Sequence, residues 1–222
     1  MKKDIAFIFD LDGVIVDTAK YHYLAWKNLA NSLGFDFTES QNEMLKGVSR
    51  VKSLEILLDL GKVTLKEEEK SRLLVEKNTE YLEFVNQMTD DEILPGVEKI
   101  LDFLDEQKVD YVLGSASKNA PLILQKVGLY DRFKGIVDGN DVSKAKPDPE
   151  VFLKGAAKLD AFPKNCVVVE DAIAGVQAAN KAGMYSIGIG DAKVLKEADH
   201  VFEAMSDIGI DFLINLMKQE NE

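Results

Sequence analysis

Short apolar runs alternate with helical patterns along most of the chain. Ile5 to Phe9 is continuously apolar, which is typical of a strand buried on both faces of a sheet. Further apolar runs at 111–113, 135–137, 167–169 and 185–189 predict strands, and the segments at 97–107, 120–127, 149–159 and 172–182 predict helices between them. Such alternation predicts an α/β fold, a parallel sheet with helices on both faces.

The pattern differs between residues 19 and 92, where strand signals are lacking and helical periodicity dominates. One apolar face begins at Tyr21 and continues to Leu33, and Gly34 is a plausible end for that helix. Further helices are predicted at 53–60 and 66–88. We interpret this block as an inserted α-helical cap domain, with hinges near 15–18 and 88–94. The predicted division is a core of 1–16 and 93–222 and a cap of 17–92.

Composition and charge exclude several classes of protein. Lys and Arg number 27 against 39 Asp and Glu, and the net charge of −12 disfavours nucleic acid and anionic membranes as partners. A small anionic ligand remains compatible, because local lysines or a metal ion can reverse the field inside a cleft. Cys166 is the single cysteine and cannot form an internal disulfide, which fits a reducing cytoplasm. We expect a core strand at the N-terminus, with no signal peptide and no membrane span.

Four places along the predicted sheet carry polar residues at or near strand ends. They are Asp10 with Asp12, Ser115, Lys146, and Glu170 with Asp171. In a parallel sheet these positions meet at one edge, where ligands of open α/β sheets bind. Carboxylates from two strands would suit Mg²⁺, and a hydroxyl and a lysine would hold phosphoryl oxygens. Such a site is suited to phosphoryl transfer, which is mostly positioning and charge neutralisation.

Each piece alone has a plainer interpretation. Asp10 and Asp12 before a glycine could form a turn, and Ser115 could cap the next helix. Lys146 could be an ordinary surface lysine, and the acidic pair after the fourth strand could complement a helix dipole. The four together, in one order at one sheet edge, favour the site.

These motifs resemble those of the haloacid dehalogenase superfamily of phosphotransferases. The resemblance rests on Asp-Leu-Asp-Gly-Val at 10–14, Ser115, Lys146 before Pro147, and Glu-Asp-Ala-Ile-Ala-Gly-Val at 170–176. It implies a Rossmann-like core with a mobile helical cap. It implies Asp10 as the nucleophile that forms an aspartyl-phosphate, Asp12 as the general acid/base, and Ser115 and Lys146 as holders of the phosphoryl group. It also implies Mg²⁺ bound by the Asp10 carboxylate, the Asp12 carbonyl and Asp171, with Glu170 close by.

Three local segments are similar to the β-phosphoglucomutase group in particular. They are Thr18-Ala19-Lys20-Tyr21-His22-Tyr23-Leu24-Ala25-Trp26, then Leu45-Lys46-Gly47-Val48-Ser49-Arg50 with Ser53, and Gly114-Ser115-Ala116-Ser117-Lys118-Asn119. The resemblance implies that Arg50 binds the distal phosphate of a bisphosphate from the cap, while Lys118 and Asn119 bind it from the core. His22 and Lys77 would face the sugar or support Asp12, and Trp26 would shape the pocket wall. The full set of expected substrate-binding residues is Thr18, His22, Trp26, Lys46, Gly47, Val48, Ser49, Arg50, Ser53, Lys77, Ala116, Ser117, Lys118 and Asn119.

The cap residues also have plainer interpretations. Arg50 could be a surface residue at a helix start, Trp26 could pack in the core of the cap, and His22 could be exposed. For Lys77 we favour the plainer interpretation, a solvated helix face. The arginine fork nevertheless suits bidentate phosphate binding, and Gly47 would permit close backbone approach.

The resulting hypothesis is a mutase that interconverts β-D-glucose 1-phosphate and β-D-glucose 6-phosphate through a 1,6-bisphosphate. One alternative is a sugar-phosphate phosphatase, in which water accepts the phosphoryl group. Another is a non-enzymatic phospho-accepting regulatory domain, which the long helical insertion and Asp12 argue against. We expect a cytoplasmic monomer whose partner is a small sugar phosphate.

Overall fold

The structure, a computed structural model, describes residues 5–45 and 48–219. Within these residues the strands are β1 (Ala6–Phe9), β2 (Tyr111–Gly114), β3 (Ile136–Val137), β4 (Cys166–Glu170), β5 (Tyr185–Ile189) and β6 (His200–Phe202). They form one parallel sheet in the order β3-β2-β1-β4-β5-β6. The predicted α/β fold class, a Rossmann-like parallel sheet with an inserted helical segment, is confirmed.

The described helices of four residues or more are α1 (Ala19–Ser32), α2 (Glu39–Asn42), α3 (Arg50–Gly61), α4 (Glu67–Val85), α5 (Val97–Glu106), α6 (Ala120–Lys126), α7 (Glu150–Lys158), α8 (Ile173–Lys181) and α9 (Ile210–Gln219). Helices α1 to α4 all lie between β1 and β2 in the chain. Among the described residues, no helix is both long enough and apolar enough to cross a bilayer.

The central strand β1 lies between β2 and β4, and this position determines where the site forms. Phe9 pairs with Leu113 on one side and with Val169 on the other. The three strands therefore end at the same level, and the residues that follow each strand share one edge. All four residues of β1 are buried, as expected for a strand covered by apolar clusters on both faces.

The helices α1 to α4 have an apolar cluster of their own. It includes Trp26, Phe37, Leu54, Leu57 and Leu73, and it is separate from the two clusters that cover the sheet. The two connections to this segment lie side by side, because Leu94 donates its N–H to the carbonyl of Ile15 and Asp17 donates to that of Glu92. A separate core with adjacent entry and exit is what a cap requires, and the predicted boundaries at 16/17 and 92/93 stay a prediction.

The structure corrects the sequence analysis at several elements. Helix α3 begins at Arg50 and not near residue 53, because the Ser49 hydroxyl accepts the Lys52 N–H and caps it there. Helix α4 ends at Val85, earlier than predicted. The elements α2, β6 and α9 were not predicted. Strand β6 lacks a clear apolar run, since it is a three-residue edge strand with an exposed histidine.

Candidate active site

Asp10 is the first residue beyond β1 and lies at the centre of a buried charged cluster. The Lys146 ammonium is 2.5 Å from Asp10 Oδ1 and 2.7 Å from Glu170 Oε2, and its side chain is 1% exposed. The other Asp10 oxygen, Oδ2, accepts the backbone N–H of Asp12 at 3.1 Å. Although burial lowers the pKa of Lys146, the two carboxylates raise it above its usual value, so this lysine stays charged.

Asp10, Glu170 and Asp171 form a cluster of three carboxylates. One oxygen from each lies within 4.8 Å of the others, a spacing and a donor set suited to a hard divalent cation. Two glycines allow this crowding, because a methyl group on Gly13 would overlap the Asp171 carboxylate and one on Gly175 would overlap Glu170. Burial and then the Asp10 charge raise the pKa of Glu170 above its usual value, although Lys146 opposes the rise, and a cation there would favour the charged carboxylate.

Asp12 lies beside this cluster with a different environment. Its Oδ1 is buried and has no hydrogen-bond partner among the described residues. Burial, and next the Asp10 charge, raise the pKa of Asp12 to about 7, while Lys146 and Lys77 oppose that rise. A carboxyl group whose pKa lies near neutrality can both take and return a proton. Asp10 and Asp12 therefore have distinct environments, and the roles of nucleophile and acid/base that the resemblance implies for them stay predictions.

The loop after β2 carries the predicted serine of the site. Ser115 is buried, and its hydroxyl oxygen accepts the N–H of Ser117 at 3.0 Å. The Ser117 hydroxyl in turn accepts the N–H of Asn119 at 3.3 Å. Ala116 is half-buried and Lys118 is exposed. These two bonds fix the loop relative to the sheet edge that bears Asp10.

On the cap side, Lys77 is buried, and its predicted position on a solvated helix face is wrong. Its ammonium is 2.9 Å from Nδ1 of His22 and lies 4.6 Å and 4.7 Å from the ring centres of Trp26 and Tyr81. Burial, followed by the Arg50 charge, lowers the pKa of Lys77 to about 7, and Asp12 opposes that change.

His22 and Trp26 lie around this lysine. The His22 ring stacks on Tyr81 at 4.2 Å, and burial together with Lys77 and Arg50 lowers its pKa well below the usual value. The ring is therefore neutral, and it shares a hydrogen bond with the Lys77 amine through Nδ1. Trp26 belongs to the apolar cluster of the cap and also faces the Lys77 ammonium, and its place in a pocket wall stays a prediction.

The remaining predicted cap residues fall into four groups. Arg50 is half-buried at the start of α3, and among the described residues no carboxylate is recorded as its ion-pair partner. Ser49 caps α3, Val48 precedes it, and Ser53 is buried on the same helix. Thr18 is buried at the start of α1, and its hydroxyl has no partner in the described part of the chain. Lys46 and Gly47 lie outside the described residues.

Two residues of this region were absent from the sequence prediction. Tyr81 is 1% exposed and supports both His22 and Lys77 through its ring. Asn78 accepts a hydrogen bond from the Asn119 side chain across the cleft. Tyr81 lies four residues after Lys77, and this helical spacing places the two on one face of α4. For Asn78 no sequence signal was present.

Comparisons with known proteins agree with this geometry. The sequence model of the haloacid dehalogenase-like hydrolases matches residues 6–183. The chain is 42% identical to the β-phosphoglucomutase of Bacillus subtilis over 210 residues, which cover 94% of this chain and 93% of that protein. It superimposes on the crystal structure of β-phosphoglucomutase from Clostridium difficile with a TM-score of 0.92 and 41% identity, covering 99% and 98% of the two chains.

A relative of a different kind is also similar. A phosphorylated carbohydrates phosphatase of Thermotoga maritima is 29% identical over 222 residues, which cover 96% of this chain and 98% of that enzyme. The chain is thus similar both to proteins named as mutases and to one named as a phosphatase.

Proposed function

The chain belongs to the haloacid dehalogenase-like hydrolase family, and on that premise we propose that it is a β-phosphoglucomutase. It would interconvert β-D-glucose 1-phosphate and β-D-glucose 6-phosphate through β-glucose 1,6-bisphosphate. The observation that carries this proposal is a cleft with two charged sides. Asp10 and Lys146 form an ion pair on the core side. On the cap side Lys77 is buried against His22, Trp26 and Tyr81, and Arg50 is half-buried at the start of α3. The 42% identity to the Bacillus subtilis mutase supports the same assignment.

In the first half-reaction, Asp10 carries a phosphoryl group and transfers it to the free 6-hydroxyl of β-glucose 1-phosphate. A bond forms between the hydroxyl oxygen and phosphorus, and the bond between phosphorus and Asp10 breaks. Asp12 takes the hydroxyl proton, which its Oδ1 is free to accept, since no described group donates to it. The bisphosphate and the free Asp10 carboxylate result.

In the second half-reaction, the bisphosphate turns over in the cleft and presents its 1-phosphate to Asp10. The Asp10 carboxylate attacks phosphorus, the bond from phosphorus to the C1 oxygen breaks, and Asp12 returns its proton to that oxygen. β-Glucose 6-phosphate leaves, and the phosphorylated enzyme is restored. A covalent intermediate replaces one difficult displacement by two easier ones.

The mutase needs a second phosphate site, and the cap supplies a candidate. Among the described residues, neither the Arg50 guanidinium nor the Lys118 ammonium on the core forms a salt bridge with a carboxylate. Arginine can bind phosphate in a bidentate manner. We assign the distal phosphate to Arg50, Lys118 and Asn119, and we assign the sugar to His22 and Lys77.

We assign Mg²⁺ to the carboxylates of Asp10 and Asp171 and the carbonyl of Asp12, with Glu170 beside them. The three clustered carboxylates fit such an ion. When bound, it would neutralise charge on the phosphoryl oxygens. Lys146 and Ser115 would hold the same oxygens in position, and Lys146 already lies between Asp10 and Glu170.

A sugar-phosphate phosphatase is the second candidate, since the Thermotoga maritima relative carries that name. The two functions differ in whether water or sugar receives the phosphoryl group from Asp10. A cap that closes over the sugar excludes water and favours the mutase. We also propose that the chain acts on this small ligand as a monomer.

The test is product identification from β-glucose 1-phosphate with Mg²⁺ and a trace of β-glucose 1,6-bisphosphate. Phosphorus NMR separates glucose 6-phosphate from inorganic phosphate in the same sample. We expect glucose 6-phosphate as the main product, and the Asp10→Asn variant controls for contaminating enzymes. Inorganic phosphate as the main product, without glucose 6-phosphate, would contradict the mutase proposal and favour the phosphatase.

A further inference from the structure

Asn119 is held in a fixed place by the core. Its N–H is bound by the Ser117 hydroxyl, and the Ser117 N–H is bound by the Ser115 hydroxyl. From the other side, the Asn140 side chain donates to the carbonyl of Lys118 at 3.3 Å. The backbone of this loop is therefore tied to the sheet edge before any ligand binds, and what remains to be set is the direction of the Asn119 amide.

The Asn119 side chain points across the cleft to the cap. Its Nδ2 donates to Oδ1 of Asn78 on α4, with a distance of 3.1 Å, and both residues are half-buried. The length lies in the range of an ordinary N–H···O hydrogen bond. The bond joins a core loop to a cap helix, and it can exist only while the cap lies close to the core.

Asn78 is itself well placed on the cap, because it follows Lys77. The Lys77 side chain is anchored by His22 and by the rings of Trp26 and Tyr81. Successive residues of an α-helix point about 100° apart around its axis. One turn of α4 therefore presents Lys77 to the proposed sugar site and Asn78 to the loop that carries Asn119.

We propose that Asn78 is a positioning residue for the distal phosphate, acting through Asn119. A side-chain amide has two N–H groups, and Asn78 accepts only one of them. With its rotation fixed in this way, Asn119 keeps its second N–H for a phosphate oxygen. The bond also makes the orientation of a core phosphate ligand depend on the position of the cap. This inference rests on the proposed function, because it takes a bisphosphate as the ligand that fills both phosphate sites.

The experiment measures binding without turnover. In an Asp10→Asn background the phosphoryl group cannot move, so calorimetric titration with β-glucose 1,6-bisphosphate and Mg²⁺ reports affinity alone. The variants are Asn78→Ala, Asn119→Ala and the double variant. Alanine is the strongest helix former, so loss of the α4 helix does not accompany the change. The matched control is Thr79→Ala, because the exposed Thr79 hydroxyl bonds only the carbonyl of Val75 within the same helix.

We expect Asn78→Ala to raise Kd about 3- to 10-fold, the range for one lost neutral hydrogen bond. The double variant should bind no worse than Asn119→Ala alone, because Asn78 acts through Asn119. A purely structural role would lower the Tm of Asn78→Ala and add its loss to that of Asn119→Ala. The control Thr79→Ala should bind like its parent.

An unchanged Kd for Asn78→Ala, or losses that multiply in the double variant, would overturn the inference. Absence of bisphosphate binding to the Asp10→Asn parent would overturn it as well, since no distal phosphate would then be held. The product assay on the unmodified chain tests the proposed mutase function independently of these binding measurements. If the product assay gives glucose 6-phosphate but the losses of affinity in the Asn78 and Asn119 variants are additive, the mutase function stands and only the proposed role of Asn78 is rejected.

Discussion

The two sides of the cleft are built on different principles. The core side is a sheet edge, where Asp10, Lys146 and Glu170 are joined by ion pairs of 2.5 Å and 2.7 Å. The cap side is a set of helices, where Lys77 and His22 are 2.9 Å apart and rest on aromatic rings. On the core, charges are neutralised by opposite charges. On the cap, Lys77 is paired with a neutral imidazole ring, and within the described residues it forms no salt bridge with a carboxylate.

This difference matches two tasks. Lys146 stays charged because two carboxylates surround it, as its proposed role of holding a phosphoryl group requires. Lys77 lies in an apolar environment that lowers its pKa to about 7, so an incoming anion would restore its charge. The core is thus prepared for charge before substrate arrives, whereas the cap gains its electrostatic partner from the substrate.

The largest effect should follow from Asp10→Asn on the core side. The amide has nearly the shape of the carboxylate but cannot act as the nucleophile, so turnover should fall on the order of 10⁴-fold or more. Lys146 keeps Glu170 as a partner, and the fold should remain. Intact-mass measurement after incubation with acetyl phosphate and Mg²⁺ should detect a phosphorylated unmodified chain and an unphosphorylated variant.

Asp36→Asn is the matched control for this change, because Asp36 is exposed in the segment between α1 and α2. It should be phosphorylated like the unmodified chain. Phosphorylation of the Asp10→Asn protein to the same extent would show that another residue is the nucleophile. The assignment of the nucleophile to the core side at Asp10 would then be wrong.

A smaller and more selective loss should follow from Arg50→Ala on the cap. Removing a charged phosphate ligand should lower kcat/KM for β-glucose 1-phosphate about 10- to 100-fold. Hydrolysis of a small ester such as p-nitrophenyl phosphate should fall far less, since that substrate has no distal phosphate. The measurement is the ratio of the two kcat/KM values in the same preparation.

Lys52→Ala controls for a charge change in the same turn of α3, since Lys52 is exposed and pairs with Glu55. It should leave the ratio unaltered. Equal losses of both activities in Arg50→Ala would remove Arg50 from the distal site and weaken the contrast between the two sides.

The same contrast explains what the sequence could predict. Asp10, Ser115 and Glu170 follow or end strands of one parallel sheet, so alternation of strands and helices was enough to bring them together. The position of Lys77 depends on how α1 and α4 pack, and no local pattern distinguishes it from the many charged residues of α4. The buried Lys77 ammonium is stabilised by the rings of Trp26 and Tyr81, and these contacts exist only in the tertiary structure.

The contact made by Asn78 could not be predicted from the sequence either. Its partner Asn119 is 41 positions away and belongs to the core, so the contact depends on where the helical segment lies against the sheet. Strand β6 was missed for a different reason. It is short and lies at the sheet edge, where neither burial nor an apolar run marks it.

The smallest effect concerns stability and its dependence on pH. The groups that act on Lys77 are His22 on α1, Arg50 on α3, Asp12 on the core, and Glu80 and Tyr81 on its own helix. The folded pKa of Lys77 is about 7, against 10.5 as the usual value. Between these values the unfolded chain binds more protons than the folded chain, so raising the pH stabilises the fold.

We therefore compare the urea unfolding of the unmodified chain and of Lys77→Met at pH 7 and pH 9, both without added metal. The free energy of unfolding of the unmodified chain should gain about 2 kcal/mol relative to the variant over this interval. Lys70→Met is the control, because Lys70 pairs with Glu67 at the helix surface and its pKa is raised. If Lys77→Met follows the same pH dependence as the unmodified chain, Lys77 is charged throughout, and the cap side would resemble the core side in holding its charge before substrate binds.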